Sequence, residues 1–596
     1  TNQTTQGDDI TLYPANSPTI AAGREPKTIE FNWEHVQFSG SVDHYQLQVD
    51  PDGNSGFYTV EGADNITNTN YALTIPVHLT DWGRALYRVA ALDAADKVVA
   101  TSSAIDLLTT MAAEDVIGYF KASNTESIDC FGYSVALSGD GNILAVGAPI
   151  EDSAAIGING DQNDNSAEDA GAVYVFSRER DRIWRQEAYL KASNSDAEDR
   201  FGGRIALSTD GSILAVRSAN EDSAATSING DQNDNSAENA GAVYVFIRSN
   251  AGEWRQQAYI KADNTEAEDR FGESLALSAD GNILAVGAIQ EDSVAAGVNG
   301  DQSDNSAENA GAVYLFSLNS SGEWGQEAYI KAGNTDVNDR FGISVSLSAD
   351  GETLAVGAHV EASAAAGING DESDNSAPYA GAVYLFTRNT DGEWEQETYI
   401  KASNPDASDQ FGSSVALTAN GNTLAVSAPM EFSAAVGIDG DESDNSAVNA
   451  GAVYVFTRNS STEWQQQAYI KAGNTDKGDR FGHGIALSAN GNILAVGAPD
   501  EASSATGINN DPDNNRTFNA GAAYLFVCNS NGDWRQQAYI KASNTNIEDH
   551  FGIRIALSTN GYTLAVGAYW EDSAATGING NQDDNGNSEA GAVYLY

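Results

Sequence analysis

Seven stretches of the sequence place asparagine and aspartate side chains two residues apart, a spacing suited to binding a cation through oxygen atoms. The first stretch reads Asn-Gly-Asp-Gln-Asn-Asp-Asn over residues 159–165. Oxygen ligands two residues apart on a tight loop are what a hard cation such as Ca²⁺ requires. We therefore expect bound Ca²⁺ in these loops, with the candidate ligands Asn159, Asp161, Asn163, Asn165, Asn229, Asp231, Asn233, Asn235, Asn299, Asp301, Asn369, Asp371, Asp439 and Asp441.

The same residues allow a second interpretation without metal. Asparagine and aspartate also hydrogen-bond their own backbone and hold loops in place. The stretch is not an EF-hand, because it lacks the central glycine and the closing bidentate glutamate. One glutamate precedes each stretch and could instead cap nearby loop amides; the seven are Glu151, Glu221, Glu291, Glu361, Glu431, Glu501 and Glu571.

A second recurring carboxylate stands just before each Phe-Gly pair. Arginine follows it in four copies, at Arg200, Arg270, Arg340 and Arg480. An aspartate beside an arginine at a fixed position predicts an ion-pair latch between repeats. The seven aspartates are Asp129, Asp199, Asp269, Asp339, Asp409, Asp479 and Asp549.

These residues are positioned by a repeat with a constant step of 70 residues, without insertion or deletion. Phe-Gly begins each copy, near residues 131, 201, 271, 341, 411, 481 and 551. A period this regular signals a propeller, solenoid or array. In the second copy, strands are predicted at 201–208, 212–216, 241–247 and 254–261, with a Thr-Asp-Gly turn after the first. Four strands and no helical pattern per copy predict a β-propeller blade.

The ends of the repeat predict how the ring closes. The last copy stops at Tyr596, after its third strand, while residues 115–122 align in register with the fourth strands of the other copies. We expect 115–122 to complete blade seven and remove an exposed sheet edge. The fold class is therefore all-β: a seven-bladed propeller of four-stranded blades over residues 115–596, preceded by a small β-sandwich.

The segment before the repeats has its own pattern. Residues 1–25 are polar and are predicted to form a flexible tether. Residues 26–110 carry short alternating runs separated by turn residues, which favour a β-sandwich. The pattern resembles a fibronectin type III domain, in which residues 31–33 would be the second strand with core tryptophan Trp33, and residues 86–91 the sixth.

The repeats resemble the FG-GAP repeats at the head of integrin α subunits and of surface or secreted bacterial proteins. The motif stands as Phe131-Gly132 with Gly147-Ala148-Pro149, and is degenerate at residues 217–219 and 287–289. The resemblance implies an extracellular location and ligand binding on the face that bears the long loops. The family's calcium hairpin has no counterpart, because residues 138–142 are too few to cage an ion, so its ligands are not transferred.

Composition limits the function classes further. The formal net charge of −55 repels phosphate backbones, so nucleic acid is not an expected partner. No apolar run is long enough for a membrane helix. Two cysteines exclude a disulfide framework, and six histidines without ligand spacing give no support to zinc or a catalytic triad. No unique histidine, lysine or tyrosine cluster breaks the repeat.

We therefore expect a non-enzymatic binding or adhesion protein that presents its acidic loops to a protein or glycan ligand. One alternative is a self-assembling structural subunit of a surface layer or filament. A second, less favoured alternative is an enzyme acting on polysaccharide.

Overall fold

The computed structural model describes residues 18–35, 42–108, 111–178, 182–459 and 463–596. The chain divides into two compact units, Thr1–Gly118 with Tyr596, and Tyr119–Leu595. Apart from one short 3-10 helix at Ala113–Val116, the regular structure of the described residues consists of strands. In these ranges no helix is long and apolar enough to cross a membrane.

The N-terminal unit contains two antiparallel sheets. In the first, Thr28–Asn32 is the central strand between Thr19–Ala22 and Asn70–Thr74. The sheets pack through buried side chains, with the Phe31 and Tyr87 rings 5.3 Å apart. The second sheet has the order Tyr58–Thr59, His44–Asp50, Leu86–Leu92 and Val98–Thr101, and Ile105–Asp106 also pairs with Leu86–Leu92.

The tether predicted for residues 1–25 needs a correction at its C-terminal end. Residues 1–17 lie outside the described residues, but Thr19–Ala22 forms a strand that pairs with Thr28–Asn32. The buried side chain of Ile20 gives this segment an apolar contact that its polar neighbours concealed in the sequence.

The second unit contains seven four-stranded sheets, which confirms the seven-bladed propeller. The first strands are Ser134–Leu137, Phe201–Leu207, Phe271–Leu277, Ser344–Leu347, Val415–Leu417, Ile485–Leu487 and Arg554–Leu557. The second strands are Ile143–Ala148, Ile213–Ser218, Ile283–Ala288, Thr353–Ala358, Thr423–Ala428, Ile493–Ala498 and Leu564–Ala568. The third strands are Ala172–Arg178, Ala242–Arg248, Ala312–Leu318, Ala382–Arg388, Ala452–Arg458, Ala522–Cys528 and Ala592–Leu595. The fourth strands are Trp184–Leu190, Trp254–Ile260, Trp324–Ile330, Trp394–Ile400, Trp464–Ile470, Trp534–Ile540 and, for blade seven, Gly118–Phe120.

The residue pattern of each blade explains its buried second strand and the tight turn before that strand. Ile143–Ala148 is buried along its whole length, because strands flank it and neighbouring blades cover both faces, and its sequence is accordingly a continuous apolar run. The turn before it is held by Asp140, whose Oδ1 accepts hydrogen bonds from the Ser138 hydroxyl at 2.6 Å and the Asn142 amide at 3.0 Å. Gly147 has no room for a side chain, since a Cβ there would overlap the carbonyl oxygen of Gly202 in the next blade.

The core lies between adjacent blades. At each interface the phenylalanine of Phe-Gly packs against a tyrosine of the same blade's third strand, as for Phe201 and Tyr244 at 5.5 Å between ring centroids. The ring closes by the same packing, because Phe120 lies 5.3 Å from Phe176 and 5.4 Å from Trp184 of blade one. This cluster also contains Val593 and Leu595 of blade seven. The closing strand is thus confirmed, with Gly118–Phe120 as its hydrogen-bonded part.

Candidate functional site: the long loops and the networks beneath them

The fourteen predicted calcium ligands lie in the long loops, the segments between the second and third strands of each blade. The first residue of each series has a left-handed backbone, with φ of 54° at Asn159. Its amide donates to the carbonyl of Tyr189 at 2.8 Å, and its Oδ1 accepts from the Tyr189 amide at 2.9 Å. Both bonds fix the loop to the fourth strand. The same side-chain bond recurs in all seven blades, at Asn159, Asn229, Asn299, Asn369, Asp439, Asn509 and Asn579.

The next predicted ligand in each loop forms a local turn. Oδ1 of Asp161 accepts from the Asn163 amide at 3.0 Å, while its carbonyl accepts from the Ser153 hydroxyl at 2.7 Å. Asp231, Asp301, Asp371 and Asp441 bind the residue two positions later in the same way. In two loops the side chain of that later residue is an amide, which donates back to the aspartate at 3.3 Å; these residues are Asn163 and Asn233.

The last predicted ligands connect each long loop to the segment before its blade. Asn235 Nδ2 donates to Asp196 Oδ2 at 3.0 Å, and Asn165 makes the corresponding bond to Glu126. The long loops and the connections between consecutive blades therefore lie together at one end of the propeller, which we call the loop face.

This arrangement does not fit a calcium cage. Calcium takes about six to eight oxygen ligands. Here the first oxygen of each series binds a strand amide, and the second binds an amide of its own loop. Within the described residues, no group of three or more histidine, cysteine, aspartate or glutamate side chains could hold a metal ion. The hydrogen bonds therefore favour the metal-free interpretation of the loops, and calcium binding stays a prediction for experiment to test.

The recurring glutamate lies below the loop in a buried ion pair. Glu151 Oε2 is 3.0 Å from Lys191 Nζ, and the two side chains are 2% and 0% exposed. The lysine directly follows the fourth strand, which ends at Leu190, so the pair binds the long loop to the blade edge. The pair is present in every blade, as Glu151–Lys191, Glu221–Lys261, Glu291–Lys331, Glu361–Lys401, Glu431–Lys471, Glu501–Lys541 and Glu571–Lys121.

Neutral groups complete this network. Glu151 Oε1 accepts from the Tyr189 hydroxyl at 2.8 Å and from Asn124 Nδ2 at 3.1 Å. Asn124 Oδ1 in turn accepts from the Tyr174 hydroxyl at 2.5 Å. Burial lowers the pKa of Lys191 and raises the pKa of Tyr189. In blade one, four separate segments of the chain therefore converge on one buried carboxylate.

Sequence reasoning found the glutamates and the possibility that they cap loop amides, as Glu151 Oε2 does for the Ser153 amide at 3.2 Å, but it missed their lysine partners. The signal was available, because a lysine follows each of six glutamates by 40 residues, as Lys191 follows Glu151. The seventh partner, Lys121, precedes the repeats and pairs with Glu571 across the closure, at 2.9 Å.

The predicted aspartate–arginine latch involves a different aspartate. Oδ2 of Asp199 accepts from the backbone amide of Asp196 at 3.0 Å, whereas Arg200 pairs with Asp169 of the preceding long loop at 3.1 Å. Arg480 instead pairs with Asp500, at the start of the long loop of its own blade, at 3.1 Å. The prediction was wrong because the aspartate before Phe-Gly turns inward to cap its own turn, and only the arginine reaches outward.

Burial raises the pKa of these inward-facing aspartates. Desolvation is the largest cause of a pKa raised to about 7 at Asp129, Asp199 and Asp479. It also raises the pKa to about 8 at Asp269, Asp339, Asp409 and Asp549.

One charged cluster breaks the sevenfold pattern, and sequence reasoning missed it. Glu273 Oε2 lies 2.8 Å from Arg217 Nη2, and its Oε1 lies 3.6 Å from Arg204 Nη2. Together with the nearby Arg554, these arginines occupy positions where the other blades have serine or glycine. Their positive charges hold the pKa of Glu273 below its usual range against the effect of its burial. The sequence did carry a signal for this cluster, because each arginine departs from the residue that most other blades have at the same position.

The fold and its repeated networks define a β-propeller protein built from seven equivalent blades. The chain belongs to the FG-GAP repeat family, whose model matches residues 119–176, 184–246, 254–316, 324–386, 394–456, 464–526 and 534–596. No curated protein matches it in sequence.

Three solved structures share a distant likeness with this chain. A periplasmic gluconolactonase of Pseudomonas aeruginosa, PpgL, is 12% identical, with 84% of this chain and 97% of that chain covered and a TM-score of 0.37. The structure of U3-55K is 8% identical, with 80% of this chain and 98% of that chain covered and a TM-score of 0.38. The RRP9 WD40 repeats are 8% identical, with 80% and 97% covered and a TM-score of 0.38. At these TM-scores the likenesses carry no argument about function.

Proposed function

We propose that this chain is an extracellular binding or adhesion protein that engages a protein or glycan ligand through the loop face, without turnover. The observation that carries the proposal is the set of seven similar long loops, each fixed by the same buried glutamate–lysine network. A rigid base under an exposed tip lowers the entropy lost on binding. Seven such tips on one face favour multivalent contact.

Charge supports the same proposal. Asp161 and its equivalents are exposed at the loop tips, in a chain of net charge −55. Exposed carboxylates of one sign attract a ligand with basic groups and accelerate encounter at low salt. We therefore expect affinity for the ligand to fall as ionic strength rises.

The N-terminal unit is part of the proposal as a fibronectin type III-like spacer. Its support is the pairing of a three-stranded sheet with a larger sheet whose central strands are His44–Asp50 and Leu86–Leu92. Both cysteines of the chain, Cys130 and Cys528, lie outside this unit, as expected for a disulfide-free sandwich.

The test is a protein and glycan array followed by titration of the ligand it finds. The triple variant Asp301→Asn, Asp371→Asn and Asp441→Asn removes three tip charges and keeps each Oδ1 acceptor. The matched control is Glu323→Gln, Glu393→Gln and Glu463→Gln, which removes three exposed charges from the turns between third and fourth strands, at the opposite end.

Weaker binding by the loop-face variant alone supports the proposal. Equal binding by both variants and the parent protein contradicts it. If the array finds no ligand and light scattering shows ordered assembly, the structural-subunit alternative replaces it. Release of sugar from any polysaccharide would favour the enzyme alternative.

A further inference from the structure

The charged cluster at the propeller axis is unlike the rest of this acidic protein. Arg204 and Arg554 line a cavity of about 250 Å³ formed by the first strands around the axis. Arg217, Arg270 and Glu273 line a second cavity of about 210 Å³. Glu273 pairs with one arginine from each cavity, so the two cavities share one charged wall.

The charges in this wall do not balance. Within the described residues, Glu273 is the only carboxylate that pairs with Arg204 or Arg217, and Arg554 forms no ion pair. Arg217 is 7% exposed, and the Nε atoms of Arg217 and Arg554 are buried without a hydrogen-bond partner. Buried charges and donors are destabilising unless a partner satisfies them. A bound group that carries negative charge would offset the excess positive charge of this wall.

The repeat itself indicates that the fold does not need these arginines. At the position of Arg217, five of the other six blades have glycine. Arg204 and Arg554 share a second position, where four of the other five blades have serine. The arginine at 217 also changes its surroundings, because its side chain packs against Gly272. In blades two and three the first strand extends to Phe201 and Phe271, whereas it is shorter in the other five blades.

Aromatic rings adjoin the arginines. The guanidinium of Arg554 lies 5.7 Å from the centre of the Tyr133 ring, and Tyr133 also lines the second cavity. Tyr569 is 5.6 Å from Tyr133, and Trp570 is 5.1 Å from Tyr569. All three rings are partly exposed. Small-molecule sites typically combine such aromatic walls with a few convergent polar groups.

We propose that Arg204, Arg217 and Arg554 form a binding site for a small ligand that carries a carboxylate beside a ring, as a sugar acid does. The planar guanidinium presents its donors as a fork that matches the two oxygens of a carboxylate. The carboxylate of the ligand pairs with these guanidinium groups and offsets their excess positive charge, and its ring contacts the aromatic side chains. This site is independent of the loop-face proposal, since it uses none of the long loops.

The experiment is calorimetric titration of the whole chain with sodium glucuronate, with glucose and inorganic phosphate as separate titrants. We expect saturable binding of glucuronate in the millimolar range or tighter, and no saturable binding of glucose. Arg217→Gly and Arg554→Ser copy residues found at the same positions in other blades, and each should weaken binding about tenfold or more, the loss typical of one charged hydrogen bond. Arg217→Lys keeps the charge, loses the fork, and should weaken binding too.

The matched control is Arg535→Ser, which removes an exposed arginine from the fourth strand of blade six and should leave binding unchanged. Thermal melts without ligand should show that Arg217→Gly and Arg554→Ser are no less stable than the parent chain. The proposal is overturned if glucuronate does not bind by about 10 mM, a weak-binding limit near the millimolar scale. It is equally overturned if phosphate alone binds, or if the arginine variants bind like the parent.

Discussion

The buried glutamate–lysine pair predicts a large and asymmetric loss of stability when one partner is removed. We consider blade three, where Glu291 Oε2 and Lys331 Nζ are 2.8 Å apart and the side chains are 2% and 0% exposed. In Lys331→Met, the Glu291 carboxylate keeps three neutral donors, on Tyr329, Ser293 and Asn264. In Glu291→Gln, the ammonium of Lys331 stays buried without a counter-ion.

Removing one member of a buried pair costs about 3–5 kcal/mol of unfolding free energy. Because the carboxylate keeps three neutral donors, whereas the ammonium loses its charged acceptor, we expect a loss of about 3 kcal/mol in Lys331→Met and of about 5 kcal/mol in Glu291→Gln. The double variant should lose less than the sum of the two single variants, since neither charge is then left alone.

The assay is urea-induced unfolding followed by tryptophan fluorescence, compared through transition midpoints and slopes. The control is Arg200→Ala, which removes an ion pair whose arginine side chain is 48% exposed and should cost no more than about 1 kcal/mol. A loss under about 1 kcal/mol for both single variants would refute the reasoning, as would strict additivity in the double variant.

Three further predictions concern closure, metal and pH. Deleting residues 115–122 removes the packing of Phe120 and the Lys121–Glu571 pair, so the melting temperature should fall sharply; an unchanged melt would contradict the closed ring. Melts with EDTA and with millimolar Ca²⁺ should coincide, because the loop oxygens already bind amides. A calcium-dependent gain of about 2.7 kcal/mol, expected at a hundredfold excess over Kd, would instead support the predicted calcium sites. The aspartates before Phe-Gly have folded-state pKa values of about 7 to 8, raised from 3.8 by burial. Their protonated form therefore stabilises the folded chain; this contribution is complete below pH 4 and is lost as the pH rises through 7 to 8. Urea midpoints should therefore fall from pH 5 to pH 8.5, by less in Asp269→Asn than in the parent chain, and a flat profile would contradict the burial of these carboxyls.

Most of the fold could be predicted because the sequence repeats it seven times. The 70-residue step gives the blade count, and the strands predicted for residues 201–262 match the observed strands within two residues at their ends. Closure was also predictable, since Tyr119 aligns with the tyrosines of the other fourth strands. Repetition makes the strand assignment more certain, because a segment whose pattern is ambiguous in one copy can be compared with the equivalent segments of six other copies.

The candidate sites were less predictable for a physical reason. The residue pattern of Asn159 and Asp161 suits both a cation and a backbone amide, and only the folded loop decides which group lies within bonding distance. The contact of Arg200 with Asp169 instead of Asp199 likewise depends on which carboxylate turns inward.

The sequence by itself determined the architecture: seven blades, four strands in each, and a ring closed by a strand from before the repeats. Only the tertiary structure decided the chemistry of the charged residues. Glu571 meets Lys121 from the far end of the chain, and Arg217 and Arg554 approach one wall from blades two and seven. A strand pattern is local and can be read along the chain, whereas the partner of a charge depends on which distant segments the closed ring brings together.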